Sequence, residues 1–349
     1  SSTAPVATTA PLTTSTPTTV PAVVAGPAVH GFVPSDVTAV SAGQWWVLGY
    51  NGPQCSSPSC TRILHTVDGG ATFASIPVPP VSPATTGQQA DLLRFDDPSN
   101  GWLVSELGAV WATHDGGSTW SRDTGAGTVT DLAASSGTVY AVACVPVSVS
   151  VSSCTLERSF AGEDVWTVLS ASAGHGQLGS LNVNGSHVWV ALDSPGGGPG
   201  RLLSSSDGGQ HFTTGSVCPG ALGTPHLYAV NTGVLWATCA TGTEASAFRS
   251  TDGGQHFTQV QAPGLPNFAS IAGVSSATAV VGSLGLLRTT DGGLTFATVT
   301  STSTQWSIVG FTTSSNGFAI QLDGQTALSG PGLWRTNDAG AHWYQVQFP

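Results

Sequence analysis

His211, His256 and His342 are the residues of this chain whose type first suggests chemistry, because imidazole nitrogens are common metal ligands. Each stands four residues after an aspartate in a string that recurs: "SSDGGQHF" from Ser205, "STDGGQHF" from Ser250 and "TNDAGAHW" from Thr336. Residues at one position of a repeated unit are kept apart by the rotation that repeats them, so a shared metal is not expected. Calcium would draw on Asp96, Asp97 and Asp193, yet no D-x-D-x-D-G run frames them. The six cysteines fall in close pairs, Cys55 with Cys60, Cys144 with Cys154 and Cys218 with Cys239. No CxxC spacing points to zinc. Three local disulfides, each within one repeat, are the expectation, and with them an oxidising, extracellular or cell-surface setting. No metal or cofactor is expected.

The strings that hold these residues define the organisation of the chain. Their terminal aromatics are Phe73, Trp120, Phe212, Phe257, Phe296 and Trp343, and a decayed copy, "SFAGEDVW", ends at Trp166 with Ala161 in place of the aspartate. The steps between successive aromatics are 47, 46, 46, 45, 39 and 47 residues. A period of this size marks one repeated supersecondary unit. Upstream of the boxes lie paired apolar runs separated by turn signals, as around Asn100-Gly101, Asn184-Gly185 and Asn316-Gly317, which read as hairpins. A third run enters each box ("AFRS", "LLRT", "LWRT") and a fourth leaves it ("TQVQ", "ATVT", "YQVQ"). Seven four-stranded units predict an all-β fold, a seven-bladed β-propeller with antiparallel blades, over residues 36–349. Asp68, Asp115, Asp207, Asp252, Asp291 and Asp338 are expected to brace the box turns, and the box aromatics to pack between neighbouring sheets.

The pattern S/T-x-D-x-G-x-x-F/W resembles the Asp-box repeat of sialidases, sortilin-type receptors and photosystem II stability factor propellers, over Asp36 to Phe348. The resemblance implies a propeller whose boxes lie at the blade periphery, away from the ligand face. It also raises a glycosidase, since sialidase chemistry requires three arginines on one carboxylate, a Tyr–Glu pair and an acidic Asp. Against this, Arg158, Arg249, Arg288 and Arg335 each directly precede a box hydroxyl, so they repeat with the blade and do not converge. Arg62, Arg94, Arg122 and Arg201 remain, and the Arg-Ile-Pro motif of sialidases is absent. Glu106, Glu157, Glu163 and Glu244, with Tyr50, Tyr140, Tyr228 and Tyr344, form no marked pair. A xyloglucanase would want two propellers facing each other across a cleft, and this chain supplies one. The reading is therefore non-catalytic.

Eight basic residues against nineteen acidic ones give a net charge of −11, which excludes the basic footprint of a nucleic-acid binder. No apolar run reaches the length of a membrane span. With no methionine in it, the chain reads as a mature, processed product. The loops "CSSPSC", "VPVSVSVSSC" and "DSPGGGPG" gather between the second and third strands of selected blades, where recognition would sit. Residues 1–35 differ from the rest, being Thr- and Pro-rich and uncharged until Asp36. They read either as an extended stalk or as an assembly strand in which Val20, Val23, Val24, Val29, Phe32 and Val33 add to a neighbour's blade edge. Three functions stay open. The first is a self-assembling structural subunit with itself as partner, the second an adhesion propeller on a flexible stalk that binds a glycan or a surface protein, and the third a sialidase-like glycoside hydrolase.

Overall fold

The computed structural model describes residues 31–51, 61–81, 90–148, 151–176, 178–194, 198–220, 223–300, 305–322 and 332–348. Val20, Val23, Val24, Val29, Cys55 and Cys60 lie outside these residues. Seven antiparallel sheets follow one another along the chain, each with four strands paired in sequence order. They form a seven-bladed propeller made of residues 32–76, 90–123, 129–176, 178–216, 224–259, 270–300 and 306–345. The fifth blade carries one extra short strand, Leu265–Pro266, which pairs with its third strand, Glu244–Ser250.

The second strand of each blade is apolar along most of its length, as in Trp45–Asn51, Gly101–Ser105 and Ala279–Ser283. That is what a strand covered on both faces requires. Seven apolar clusters result, and each joins two adjacent blades. The box aromatic of every blade, from Phe73 to Trp343, packs in the cluster shared with the blade before it. Truncating such an aromatic to alanine typically costs about 3–5 kcal/mol, so these rings are a main term in blade-to-blade cohesion.

Two of the three Asn-Gly turns are built differently from the sequence expectation. Gly185 has a positive φ in a tight turn, but Gly101 and Gly317 open second strands. A Cβ at either would lie within 2.6 Å of the ring of Phe95 or Phe311. Close approach of a phenyl ring, not turn geometry, explains these two glycines.

All four strands of each blade come from one continuous stretch, so the ring closes by packing. Phe348 sets its ring 4.7 Å from Phe32 and 5.1 Å from Phe73, joining blade 7 to blade 1. The expected boundary at residue 35 moves as a consequence. Phe32 and Val33 are not tail residues, because they begin the first strand of blade 1 (Phe32–Ala39) and pair with Asn51 and Tyr50 of the same chain. Phe32 is buried, and its apolar character serves the closure.

Two of the expected disulfides fall within the described residues. Cys144–Cys154 ties directly opposed residues of the second and third strands of blade 3. Cys218–Cys239 departs from the single-repeat expectation. Cys218 follows the last strand of blade 4 (Thr213–Ser216), and Cys239 lies in the second strand of blade 5 (Leu235–Thr241), so this bond joins two blades.

Candidate functional site

The box in blade 5 shows what the repeated aspartates do. Ser250 Oγ accepts from Gly254 N (2.9 Å) and donates to Asp252 Oδ1 (2.8 Å). The same carboxylate oxygen accepts from His256 N at 3.0 Å, and Oδ2 lies 2.7 Å from His256 Nδ1. Asp68, Asp115, Asp207, Asp291 and Asp338 repeat the scheme, with Thr72, Thr119 or Thr295 in the histidine's place in three of them. The amide of His256, assisted by its ring, holds Asp252 at about 2, and the hydroxyl of Thr295 does the same for Asp291. Each box histidine is thus engaged with its own aspartate, blade by blade.

The residue after the box aspartate performs two further tasks. Its N–H donates to the first hairpin of its own blade, as Gly253 N does to Gly233 O (2.9 Å). In the decayed box the donor is one residue earlier, Ala161 at the aspartate position, whose N–H bonds Gly137 O. The carbonyl of the residue after the aspartate accepts from the preceding blade, and the donor follows a rule. Trp46 and Trp189 on second strands donate indole N–H groups to Gly116 O and Gly253 O. Where the second strand instead offers Tyr140, Val280 or Phe318, the directly opposed third-strand residue is Arg158, Arg288 or Arg335. These arginines donate to Gly208, Ala339 and Gly69. Blade 5 offers both donors, but to the first hairpin of blade 6 and not to its box, Trp236 to Ser275 O and Arg249 to Ser276 O. The repeated arginines of the sequence are therefore staples between blades.

Blade 3 breaks the rule on the side that faces blade 2. With Ala161 for aspartate, Ser159 Oγ accepts from Val165 N, six residues on, where the intact boxes use the fourth residue. The buried indole N–H of Trp102 on blade 2 finds no acceptor among the described residues. Asp164 of this altered turn pairs instead with His114 of blade 2 at 3.0 Å.

Around the axis, side chains of one first strand serve the free edge of the next. Asp36 accepts from Leu93 N (2.8 Å) and from Arg94 Nη1 (2.7 Å). Asp131 accepts from Leu181 N, Ser180 from Leu227 N, and Asn182 bonds both Leu227 O and Ala229 N. Burial pushes the Asp36 and Asp131 carboxyls up, against the pull of Arg94. Tyr228 reaches past blade 6 to Phe311 O and N and is pushed up to about 12 by burial. Sequence reading singled out none of these residues as a site. The one signal was Arg94, an arginine out of register with the repeat.

The two faces of the ring differ. Box turns and first hairpins form one face, where the repeat is kept nearly throughout. The opposite face carries the turns between second and third strands and both described disulfides. Here Leu107 and Leu284, at such turns in blades 2 and 6, and Val145, in the outer half of the second strand of blade 3, stand 57–61% exposed. Among the described residues, no group of three or more His, Cys, Asp or Glu is arranged to hold a metal ion, and no helix is long and apolar enough to cross a membrane.

No family model matches the chain, and no curated protein does. Solved structures do. YCF48 bound to a D1 peptide superposes with a TM-score of 0.60 at 16% identity, over 90% of this chain and 95% of that one. A GH74 xyloglucanase from Xanthomonas campestris gives 0.55 at 13%, over 92% of this chain and 61% of the enzyme. A puromycin-hydrolyzing peptidase of Mycobacterium tuberculosis gives 0.59 at 12%, over 92% and 54%. At these identities the likeness is one of fold, a propeller shared by enzymes and by a peptide-binding protein.

Proposed function

We propose that this chain is a non-catalytic propeller that binds a protein partner through the face opposite its boxes, in an oxidising, extracellular setting. The observation that carries this reading is the set Leu107, Val145 and Leu284. Large exposed apolar side chains toward this end of three blades, on the face braced by two disulfides, fit a partner-binding surface. Many of the acids and arginines of the chain serve the scaffold. Box aspartates hold turns, the repeated arginines staple blades, and Asp36 and Asp131 brace the axis. YCF48, which the chain matches over nearly its full length, is seen with a bound peptide, so a propeller of this fold is compatible with a polypeptide ligand. The test is a peptide array screened with the full chain, followed by Leu107→Ser, Val145→Ser and Leu284→Ser. Binding lost in these variants and kept in His211→Ala on the box face supports the reading. Binding unchanged by all three, or hydrolysis of a sialoside or xyloglucan by the purified chain, overturns it.

A second reading rests on a separate observation. The described strands complete every blade from Phe32 onward, and this reading gives residues 1–30, which lie outside the described residues, the role of joining neighbouring copies.

A further inference from the structure

The seam between blades 7 and 1 holds an open cleft of about 360 Å³ on the box face, lined by Trp45, Asn316, Arg335, Asn337 and Tyr344 among others. Its size is that of a small-ligand site. Phe318, Arg335 and Tyr344 stand directly opposite one another on adjacent strands of blade 7, so their side chains share the face turned toward blade 1. The residues in the position of Tyr344 in the other blades are Ala74, Ser121, Thr167, Thr213, Thr258 and Ala297. The ring needs no aromatic there. Tyr344 is nevertheless a tyrosine, and it is 56% exposed. Trp45 is a second departure, since the matching residues are Gly101, Val139, Val188, Leu235, Ala279 and Gly317. It forms a buried floor, with its N–H on Ser41 O.

The polar groups of the cleft have capacity to spare. Arg335 gives one N–H to Gly69 O, and a guanidinium has five. Asn316 donates its side-chain amide to Thr313 and Ser315, and its Oδ1 accepts from no described residue. The Asn337 amide and the Tyr344 hydroxyl bond no described residue. The site therefore offers a flat aromatic surface, a guanidinium suited to a planar carboxylate, and amides suited to hydroxyls. One ligand class uses all three together. We propose that this seam binds a hexuronic acid unit of a glycan, its C–H face on Tyr344, its carboxylate on Arg335 and its hydroxyls on Asn316 and Asn337. A single cation in a chain of net charge −11 suits one carboxylate at a time. The site lies on the opposite face from Leu107, Val145 and Leu284, so either assignment can fail without the other.

The test uses the full chain titrated with sodium glucuronate and, in parallel, with glucose, followed by tryptophan fluorescence and by thermal melting. Glucuronate should bind and raise Tm, since a ligand held only by the folded ring stabilises it, and glucose should bind more weakly. Tyr344→Thr installs the residue that blades 3, 4 and 5 already carry, so the fold is kept, and it should weaken glucuronate about tenfold, the scale of one lost aromatic contact. Arg335→Gln should abolish the preference for glucuronate over glucose, whereas Arg288→Gln, which breaks the same staple at the next seam, should leave it intact. Glucuronate without effect on either readout, or with equal affinity for wild type and Tyr344→Thr, overturns the proposal.

Discussion

Arg335 of blade 7 donates to the carbonyl oxygen of Gly69 in blade 1, across 266 positions of chain. With the contacts of Phe348 on Phe32 and Phe73, this bond closes a ring that has no shared sheet at its seam. Arg335→Gln is expected to destabilise the protein by about 1.5–3 kcal/mol, the scale of a hydrogen bond from a charged donor. Arg249→Gln should cost less, because Trp236 still spans that seam. Urea melts of both variants check the order, and equal losses would contradict the division of labour between tryptophan and arginine.

Trp102 and Trp189 occupy the same place in their blades and differ only in what they face. Trp189 donates to Gly253 O, while the buried N–H of Trp102 finds no acceptor among the described residues. Trp189→Phe should therefore lose stability by about 1 kcal/mol beyond the effect of volume, whereas Trp102→Phe should be spared that penalty, since it removes an unpaired buried donor. Melting midpoints of the two variants, compared with Trp46→Phe as a second paired case, decide this.

Within the box, the buried group is the hydroxyl and the exposed group is the carboxylate. Ser250 is 1% exposed and satisfies the buried Gly254 N–H, so Ser250→Ala should cost about 1–3 kcal/mol. The Asp252 side chain is 38% exposed, and solvent screening limits Asp252→Asn to about 1 kcal/mol. Its pH dependence has a definite sign. Asp252 is held at about 2 in the fold, below an ordinary value of about 3.9. Its contribution is therefore present above about pH 4 and is lost as pH falls through about 2. Asp36 and Asp131, raised by burial, act in the opposite sense and weaken the fold as pH rises above about 4. The gap in Tm between wild type and Asp252→Asn should narrow from pH 5 to pH 2, and a gap that widens would refute the assignment.

The propeller was legible because its units are written in sequence. The box string fixes a turn, and the interval between boxes fixes the number of blades. The repeated arginines were recognised as scaffold by position alone, but their acceptors were not, since Gly69 and Arg335 meet only when the ring closes. For the same reason Asp36, Arg94 and Asp131 escaped notice, because first strands of separate blades become neighbours only around the axis. Tyr344 carried a readable signal, an aromatic where the other repeats place Ala, Ser or Thr, yet that comparison requires the strand register that only the fold supplies. Phe32 and Val33 were misassigned because an apolar run beside a Thr/Pro-rich segment looks the same whether it seeks a neighbour's edge or its own second strand.

Phe32 packs on Phe348, and a Cβ at Gly49 would lie within 3 Å of its ring, so this residue fills a tight space at the closure. A chain shortened to begin at Gly31 keeps every described strand and should melt with the full chain. One beginning at Ser35 loses Phe32, Val33 and Pro34, uncovers Phe348, and should melt well below it, by an amount comparable to Phe32→Ala, about 3–5 kcal/mol. Light scattering of the Gly31 form then isolates the role of residues 1–30. If those residues join neighbouring copies, the full chain is oligomeric and the Gly31 form is a monomer of unchanged Tm. If both are monomers at high concentration, the segment serves as a stalk, and the ring acts through its faces alone.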